Sequence, residues 1–266
     1  MKSDLAELLR DIMVRAGRIM LSAHGIDSED SVTVKPGNAN FVTVYDVKIQ
    51  NFIIDEIKNA IPKAVFIAEE KDNDSSVLQN EYCFIIDPID GTTNFIREYR
   101  HSCISLALVS RGETVFGAVY DPYLDEMFCA EKGNGAFLNG RRMTVSEKEP
   151  DMAIIAYGTS PYYKAELGDK TFGICKELFM MGADVRRCGS AALDLAYTAA
   201  GRNDAFFECR LSPWDYAAGA LLVTEAGGVI SDMQGNEATL EKPISVIAAN
   251  GKCYGRLLET VKKYNL

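Results

Sequence analysis

Long apolar runs are missing from this chain of 266 residues: the stretch 103–109 contains a serine and is far short of the ~20 residues that cross a bilayer. Glu7, Arg10, Asp11, Arg15 and Arg18 interrupt the first apolar residues, so no signal-peptide core is expected there. The seven cysteines (83, 103, 129, 175, 188, 209 and 253) are an odd number without a C-x-x-C pair. They read as reduced packing residues, not a disulfide framework or zinc site, and the cytoplasm is the expected compartment. His24 and His101 are the only histidines and form no H-E-x-x-H motif, which excludes a zinc hydrolase of that type. No G-x-G-x-x-G follows a strand, and neither a P-loop nor a Cys-x5-Arg loop is present. Basic charge is also in short supply: 28 Lys+Arg against 38 Asp+Glu leave −10. Such a surface repels nucleic-acid backbone and anionic lipid, so neither is expected as a partner. An anionic substrate would need a local source of positive charge.

What is there is the composition of a folded protein, 47% hydrophobic and 25% charged with only 8 Pro, which excludes disorder and collagen. Residues 4–23 place Leu5, Leu8, Leu9, Ile12, Met13, Ala16, Ile19 and Met20 at i, i+3, i+4 spacing, predicting an amphipathic helix. After a loop at Lys35-Pro36-Gly37, Asp46 is placed to cap a second helix carrying Ile49, Ile53, Ile57 and Ile61. Short buried strands at 64–68 and 82–86 run directly into acids, Glu69-Glu70 and Asp87. From 102 to 145 the pattern changes to an antiparallel meander, with strands at 104–109, 114–120, 126–130 and 136–138. Alternation then resumes, with strands at 153–157, 184–188, 204–208 and 244–249 and helices at 168–181, 190–200, 214–226 and 252–264. The expectation is one compact α/β (α+β) unit over 1–266, with halves of about 1–150 and 151–266.

The most informative segment is Phe84-Ile85-Ile86-Asp87-Pro88-Ile89-Asp90-Gly91-Thr92-Thr93-Asn94-Phe95. A hydrophobic strand ends at Asp87, Pro88 bends the chain, and Asp90 follows three residues later, so both carboxylates can point at one place. Like charges held that close raise each other's pKa unless a cation lies between them. Gly91-Thr92-Thr93 opens a short helix whose free N–H groups suit a phosphate. Carboxylates for a hard cation beside amides for an anion describe a metal-assisted phosphate site. Each acid alone has a plainer reading: Asp-Pro and Asp-Gly are common turns, Glu69 a solvated acid, and Asp215 an N-cap at the Trp214 helix. Together the four form an all-oxygen cage.

Those residues resemble the inositol monophosphatase family of Mg2+-dependent, lithium-sensitive phosphatases. The likeness spans nearly the whole chain, with unbroken matches at 84–97 and at Trp214-Asp215-Tyr216-Ala217-Ala218-Gly219 through Glu225-Ala226-Gly227-Gly228. It implies a layered αβαβα sandwich, of the inositol monophosphatase / fructose-1,6-bisphosphatase type, and a homodimer. By position, Glu69, Asp87, the Ile89 carbonyl, Asp90 and Asp215 resemble ligands for two or three Mg2+. Glu69, Thr92 and Asp46 resemble the catalytic residues that orient the attacking water. Asp90, Gly91, Thr92, Gly189, Ser190, Ala191, Glu208 and Asp215 resemble the substrate contacts, although Ser190 alone would read as a helix cap. Asn40-Phe41-Val42-Thr43 stands where the family usually has Asp, an apolar residue, Val and Thr.

The implied reaction is hydrolysis of a small-molecule phosphate monoester, inositol 1-phosphate to inositol and phosphate, by water attack without a phosphoenzyme. Thr93-Asn94 resembles the inositol-phosphate branch, where the adenosine-bisphosphate branch more often shows Lys-Glu. Alternatives on the same fold are fructose-1,6-bisphosphatase, with Arg186, Arg187 or Arg210 taking the distal phosphate, and 3'(2'),5'-bisphosphate nucleotidase activity. A regulatory protein-binding module is a reading from a different class. Trp214, Arg97 and Arg100 read as packing or surface residues.

Overall fold

The computed structural model describes residues 3–23, 32–34, 41–181 and 184–266; His24, Lys35 and Asn40 lie outside them. Helix α1 (Ser3–Leu21) buries Leu9, Ile12, Met13, Ala16 and Met20 along one stripe, as the 3.6-residue period requires. Strands β1 (Val32–Val34) and β2 (Phe41–Thr43) pair antiparallel, and β2 leads into α2 (Val44–Ala60). The N-cap of α2 is Thr43, not Asp46: Asp46 is the third helical residue and its carboxylate accepts the Thr43 backbone N–H at 2.8 Å. This reciprocal capping box contributes roughly 1 kcal/mol and fixes the direction of the Asp46 carboxyl.

A seven-stranded sheet carries α1 and α2 on one face. Its strands are β3 (Val65–Ala68), β4 (Cys83–Asp90), β5 (Cys103–Ser110), β6 (Glu113–Asp121), β7 (Glu126–Glu131), β8 (Gly135–Leu138) and β9 (Arg141–Met143), in that spatial order. Only β3 and β4 are parallel; the rest is the expected meander plus β9, too short to leave a pattern in the sequence. Alternation sorts the side chains: Phe84 and Ile86 pack under α1 and α2, whereas Cys83 and Ile85 face the opposite way. Between β4 and β5 the chain makes α3 (Thr92–Ile96).

The second sheet orders β11 (Asp184–Arg186), β10 (Ile154–Tyr157), β12 (Ala205–Leu211), β14 (Ile244–Ala249) and β13 (Val229–Ser231). Helices α5 (Ala191–Ala199) and α6 (Pro213–Glu225) are sealed between the two sheets, which is why both are apolar almost all round. Helices α4 (Lys164–Met180) and α7 (Tyr254–Lys262) cover the far face of the second sheet, packing on Phe207, Ile247 and Ala249. The layer order is therefore αβαβα, the fold class expected from the sequence. Gly117 makes one layer contact possible, because a Cβ there would lie 2.8 Å from the Ala218 carbonyl oxygen of α6. Among the described residues no helix is long and apolar enough to cross a membrane.

Several element bounds differ from expectation. Strand β4 does not end at Asp87 but continues through Pro88 to Asp90, with a register shift between Asp87 and Asp90 against β5. A bulge is where a strand tolerates proline, since the ladder donor that proline lacks is not called for there. Helix α4 begins four residues earlier than expected, and β13 was not foreseen at all.

Candidate metal centre and active site

The C-terminal end of β4 and the starts of α3, α5 and α6 meet at a cavity of about 420 Å3 between the two sheets. In a regular strand residues three apart face opposite sides. The bulge at Pro88 brings Asp87 and Asp90 to the same side, and Asp215, in the first turn of α6, joins them. One carboxylate oxygen from each of the three lies within 4.8 Å of the others. Glu69, directly after β3, lines the same cavity, held beside Asp87 because its N–H bonds to the Ile86 carbonyl at 3.2 Å.

Each acid is anchored by backbone donors. Ile89 N–H donates to Asp87 Oδ1 at 3.0 Å. Ala192 N–H, at the start of α5, donates to Asp90 Oδ2 at 2.8 Å, and the Ser190 hydroxyl donates to the same oxygen. Ser212 N–H donates to Asp215 Oδ2 at 2.7 Å. These bonds do not offset the crowding. Burial first, then Glu69, Asp90 and Asp215, push the Asp87 carboxyl well above the usual range. Burial, Asp90 and Glu69 do the same to Asp215. Oxygen donors this close, all resisting ionisation together, have the chemistry that a hard divalent cation satisfies. The residues present fit such an ion.

Gly91 is left-handed, with φ of 90°, and a Cβ there would press on the Gly189 and His101 carbonyl oxygens at 3.1 Å. Glycine thus lets the chain turn sharply from β4 into α3, leaving the Gly91–Thr92 backbone along the cavity wall. The Thr92 hydroxyl lies 3.1 Å from the Ile89 carbonyl and 3.4 Å from Asp46 Oδ1. Burial raises Asp46 to about 6, against the lowering effect of the Thr43 hydrogen bonds. Asp46 does not line the cavity itself and reaches it only through Thr92.

Next to Asp90, Gly189, Ser190 and Ala191 line the wall, and Ser190 is both the α5 N-cap and a donor to Asp90. Glu208 of β12 is buried there, its Oε1 accepting the Ser160 N–H at 2.7 Å. Burial drives its carboxyl up to about 7. Every sequence-predicted site residue except Asp46 therefore borders this cavity.

Several lining residues carried no readable signal. Gly158 is required beside Glu208, since a Cβ there would sit 1.8 Å from Oε2. Tyr162 lies over the acids, and its hydroxyl is pushed up by burial and then by Glu69 and Asp215. Arg187 and Arg210 also line the cavity, whereas Arg186 is exposed and pairs with Asp184 at 2.7 Å. Of three candidate cations for a second anionic group, two face the site. Trp214 packs against the central core and also forms part of the wall.

A sequence profile of the Inositol monophosphatase family matches residues 1–266. The Nus factor SuhB of Escherichia coli K12 is 43% identical over 229 residues, covering 85% of each chain. An inositol-1-monophosphatase of Mesorhizobium japonicum is 36% identical, over 98% of this chain and 97% of its own. Among solved structures, a Thermotoga maritima IMPase superposes with a TM-score of 0.88 at 33% identity, over 98% of both chains. With the profile spanning every residue and relatives above 30% identity along nearly the full length, this chain belongs to the inositol monophosphatase family.

Proposed function

We propose that this chain is a Mg2+-dependent hydrolase of phosphate monoesters, acting on inositol 1-phosphate as a single catalytic unit over residues 1–266. The convergence of Asp87, Asp90 and Asp215 within 4.8 Å carries the reading, and family membership supports a phosphatase. Asp87, Asp90 and Asp215, with Glu69 and the Ile89 carbonyl, would hold two or three metal ions. When bound, such ions supply the Lewis acidity and positive charge that a phosphate needs in a −10 protein.

The chain's own groups do the rest. The Gly91–Thr92 backbone receives phosphate oxygens at the start of α3. With its proton given to Asp46, the Thr92 hydroxyl turns a lone pair toward the cavity, where it accepts from the attacking water. Glu69, on the other side of Asp87, takes the second proton of that water as general base. Oε1 of Glu208 is engaged by Ser160, which leaves Oε2 to accept from a ring hydroxyl. Gly189, Ser190 and Ala191 form the adjoining wall of the ring pocket. We further propose a cytoplasmic homodimer.

Two observations favour further readings. Arg187 and Arg210 on the wall suit a second phosphate, as fructose 1,6-bisphosphate or an adenosine 3',5'-bisphosphate would present. The name Nus factor, borne by a relative at 43% identity, favours a regulatory role beside catalysis. The deciding experiment is Mg2+-dependent phosphate release from inositol 1-phosphate, fructose 1,6-bisphosphate and adenosine 3',5'-bisphosphate. Fastest turnover of the inositol ester supports the main reading. Preference for a bisphosphate replaces it with the corresponding alternative, and release from none of them leaves the regulatory reading.

A further inference from the structure

Beside the Gly189 wall three side chains from three separate elements converge. His101 comes from the loop before β5, Cys188 from the loop before α5, and Asp194 from the first turn of α5. One ligand atom of each lies within 4.8 Å of the other two. Two of these groups are buried with unmet hydrogen-bonding capacity. Oδ1 of Asp194 has no hydrogen-bond partner although the residue is 1% exposed, and His101 Nε2 is likewise without one. A buried carboxylate oxygen left so costs about 1–3 kcal/mol or more, a cost that a bound cation would offset.

The surrounding structure holds the three groups in position. The Asn94 side-chain amide donates both to the His101 carbonyl at 2.7 Å and to the Cys188 carbonyl at 2.9 Å, tying the two loops together. The imidazole meets the Tyr197 ring edge to face, with centroids 6.0 Å apart, which restricts its rotation. Burial lowers the His101 pKa, so the ring is neutral and its lone pair available. One nitrogen, one sulfur and one oxygen are the donors of a borderline-soft cation, not of Mg2+. Around a tetrahedral Zn2+ such donors stand roughly 3.4–3.6 Å apart, so these need to close by about an ångström.

We propose that His101, Cys188 and Asp194 form a second metal site, selective for Zn2+ or a cation of its class and separate from the oxygen-only centre. Three protein ligands would leave a fourth position open, and Asp194 also lines the substrate cavity. Binding releases two protons to solvent, that of the Cys188 thiol and that which burial holds on the Asp194 carboxyl, so affinity rises with pH. The ion ties the loop 187–190, which carries Gly189 and Ser190 of the substrate wall, to the loop before β5. No local pattern hints at this site, because a metal motif is read from ligands spaced closely along the chain and His101 and Asp194 lie 93 positions apart.

The test uses the whole protein with Mg2+ in excess, titrated with Zn2+ in competition with a chromophoric chelator and, separately, with Co2+. The wild type should take up one Zn2+ per chain and, with Co2+, show a thiolate-to-metal charge-transfer band in the near ultraviolet. Cys188→Ser should lose the band and His101→Gln should weaken binding at least tenfold, while Asp87→Asn, in the carboxylate centre on β4, keeps both properties. Far-ultraviolet circular dichroism checks that each variant is folded, and the near-isosteric Cys188→Ser carries the test if His101→Gln is not. Absence of the band in wild type overturns the proposal. So does Zn2+ uptake that survives Cys188→Ser but falls in Asp87→Asn.

Discussion

Replacing Glu208 by glutamine removes a charge from a buried position while keeping its shape, and the effect on stability follows from the environment of that carboxyl. Burial lifts its pKa from 4.5 to about 7, despite the opposing hydrogen bonds from Ser160. A carboxyl that holds its proton more tightly in the folded than in the unfolded chain leaves stability untouched below about pH 4.5. Stability is then lost as pH rises from there to about 7, and stays lost above. The full gap corresponds to about 3 kcal/mol, of which about 2.5 kcal/mol falls between pH ~5 and ~8. Glutamine has no such titration. Glu208→Gln should therefore match wild type to within about 1 kcal/mol at the acid end, allowing for changed hydrogen bonds to Ser160. At the alkaline end it should be more stable by about 2–3 kcal/mol. Urea unfolding of both proteins in the presence of a chelator, at pH ~5 and ~8, measures the difference directly. A gap between the two proteins that is the same at both pH values refutes the reasoning, because it would mean that Glu208 is ionised throughout. The same variant should raise KM for inositol 1-phosphate more than for an aryl phosphate; equal effects would show that Glu208 does not meet the ring.

Asp90→Asn should lower turnover by several orders of magnitude with an unchanged circular dichroism spectrum, since it removes a metal charge but keeps an acceptor for the Ala192 N–H; near-normal rates at saturating Mg2+ contradict the assignment. Gly158→Ala should cost about 1–3 kcal/mol, because the new Cβ collides with Glu208, and should lower Tm by several degrees in a thermal melt. A Tm equal to wild type would show that Glu208 can move aside without loss. Chelation should abolish phosphate release, Mg2+ should restore it, and Ca2+ should not, since Ca2+ takes more ligands at longer range. Restoration by Ca2+ to the Mg2+ rate counts against the proposed centre. Li+ should inhibit, and Asn40→Asp should tighten both Mg2+ and Li+ titrations; unchanged titrations would make Asn40 neutral.

The layers of this fold were legible because each has its own periodicity. The stripe of α1, the alternation of β5 and β6, and the all-round apolar α5 and α6 announce one covered face, two faces of a sheet, and a sandwiched layer. Strands of three residues such as β9 and β13 left no trace, since they repeat nothing. At the site, Asp87 and Asp90 stood out through Asp-Pro-x-Asp-Gly, yet the reason they meet is a bulge that spacing alone does not reveal. Asp46 reads locally as a cap, and its link to Thr92 spans 46 positions. Gly158, Ser160, Arg187 and Tyr162 acquire meaning only once β12 and α5 are packed beside them. Long-range geometry, invisible in a local window, made the difference in every case.

The sandwiched position of α6 has a consequence for how the protein breathes. A helix at the surface can fray on its own, but α6 packs mainly on the larger sheet and is covered by the second, so it cannot open without parting the layers. Asp215 rides on this helix and Asp87 on β4, one of the inner strands of the larger sheet. These two acids are thereby excluded from the small, frequent openings that let surface segments exchange their amide hydrogens. Amides in β4 and α6 should exchange only when the whole molecule unfolds, at a rate set by global stability, while those of α3 and the loop 187–190 exchange far sooner. One half of the site is thus fastened to the slowest motion the chain possesses, and the other, held by a few side-chain hydrogen bonds, to a faster one.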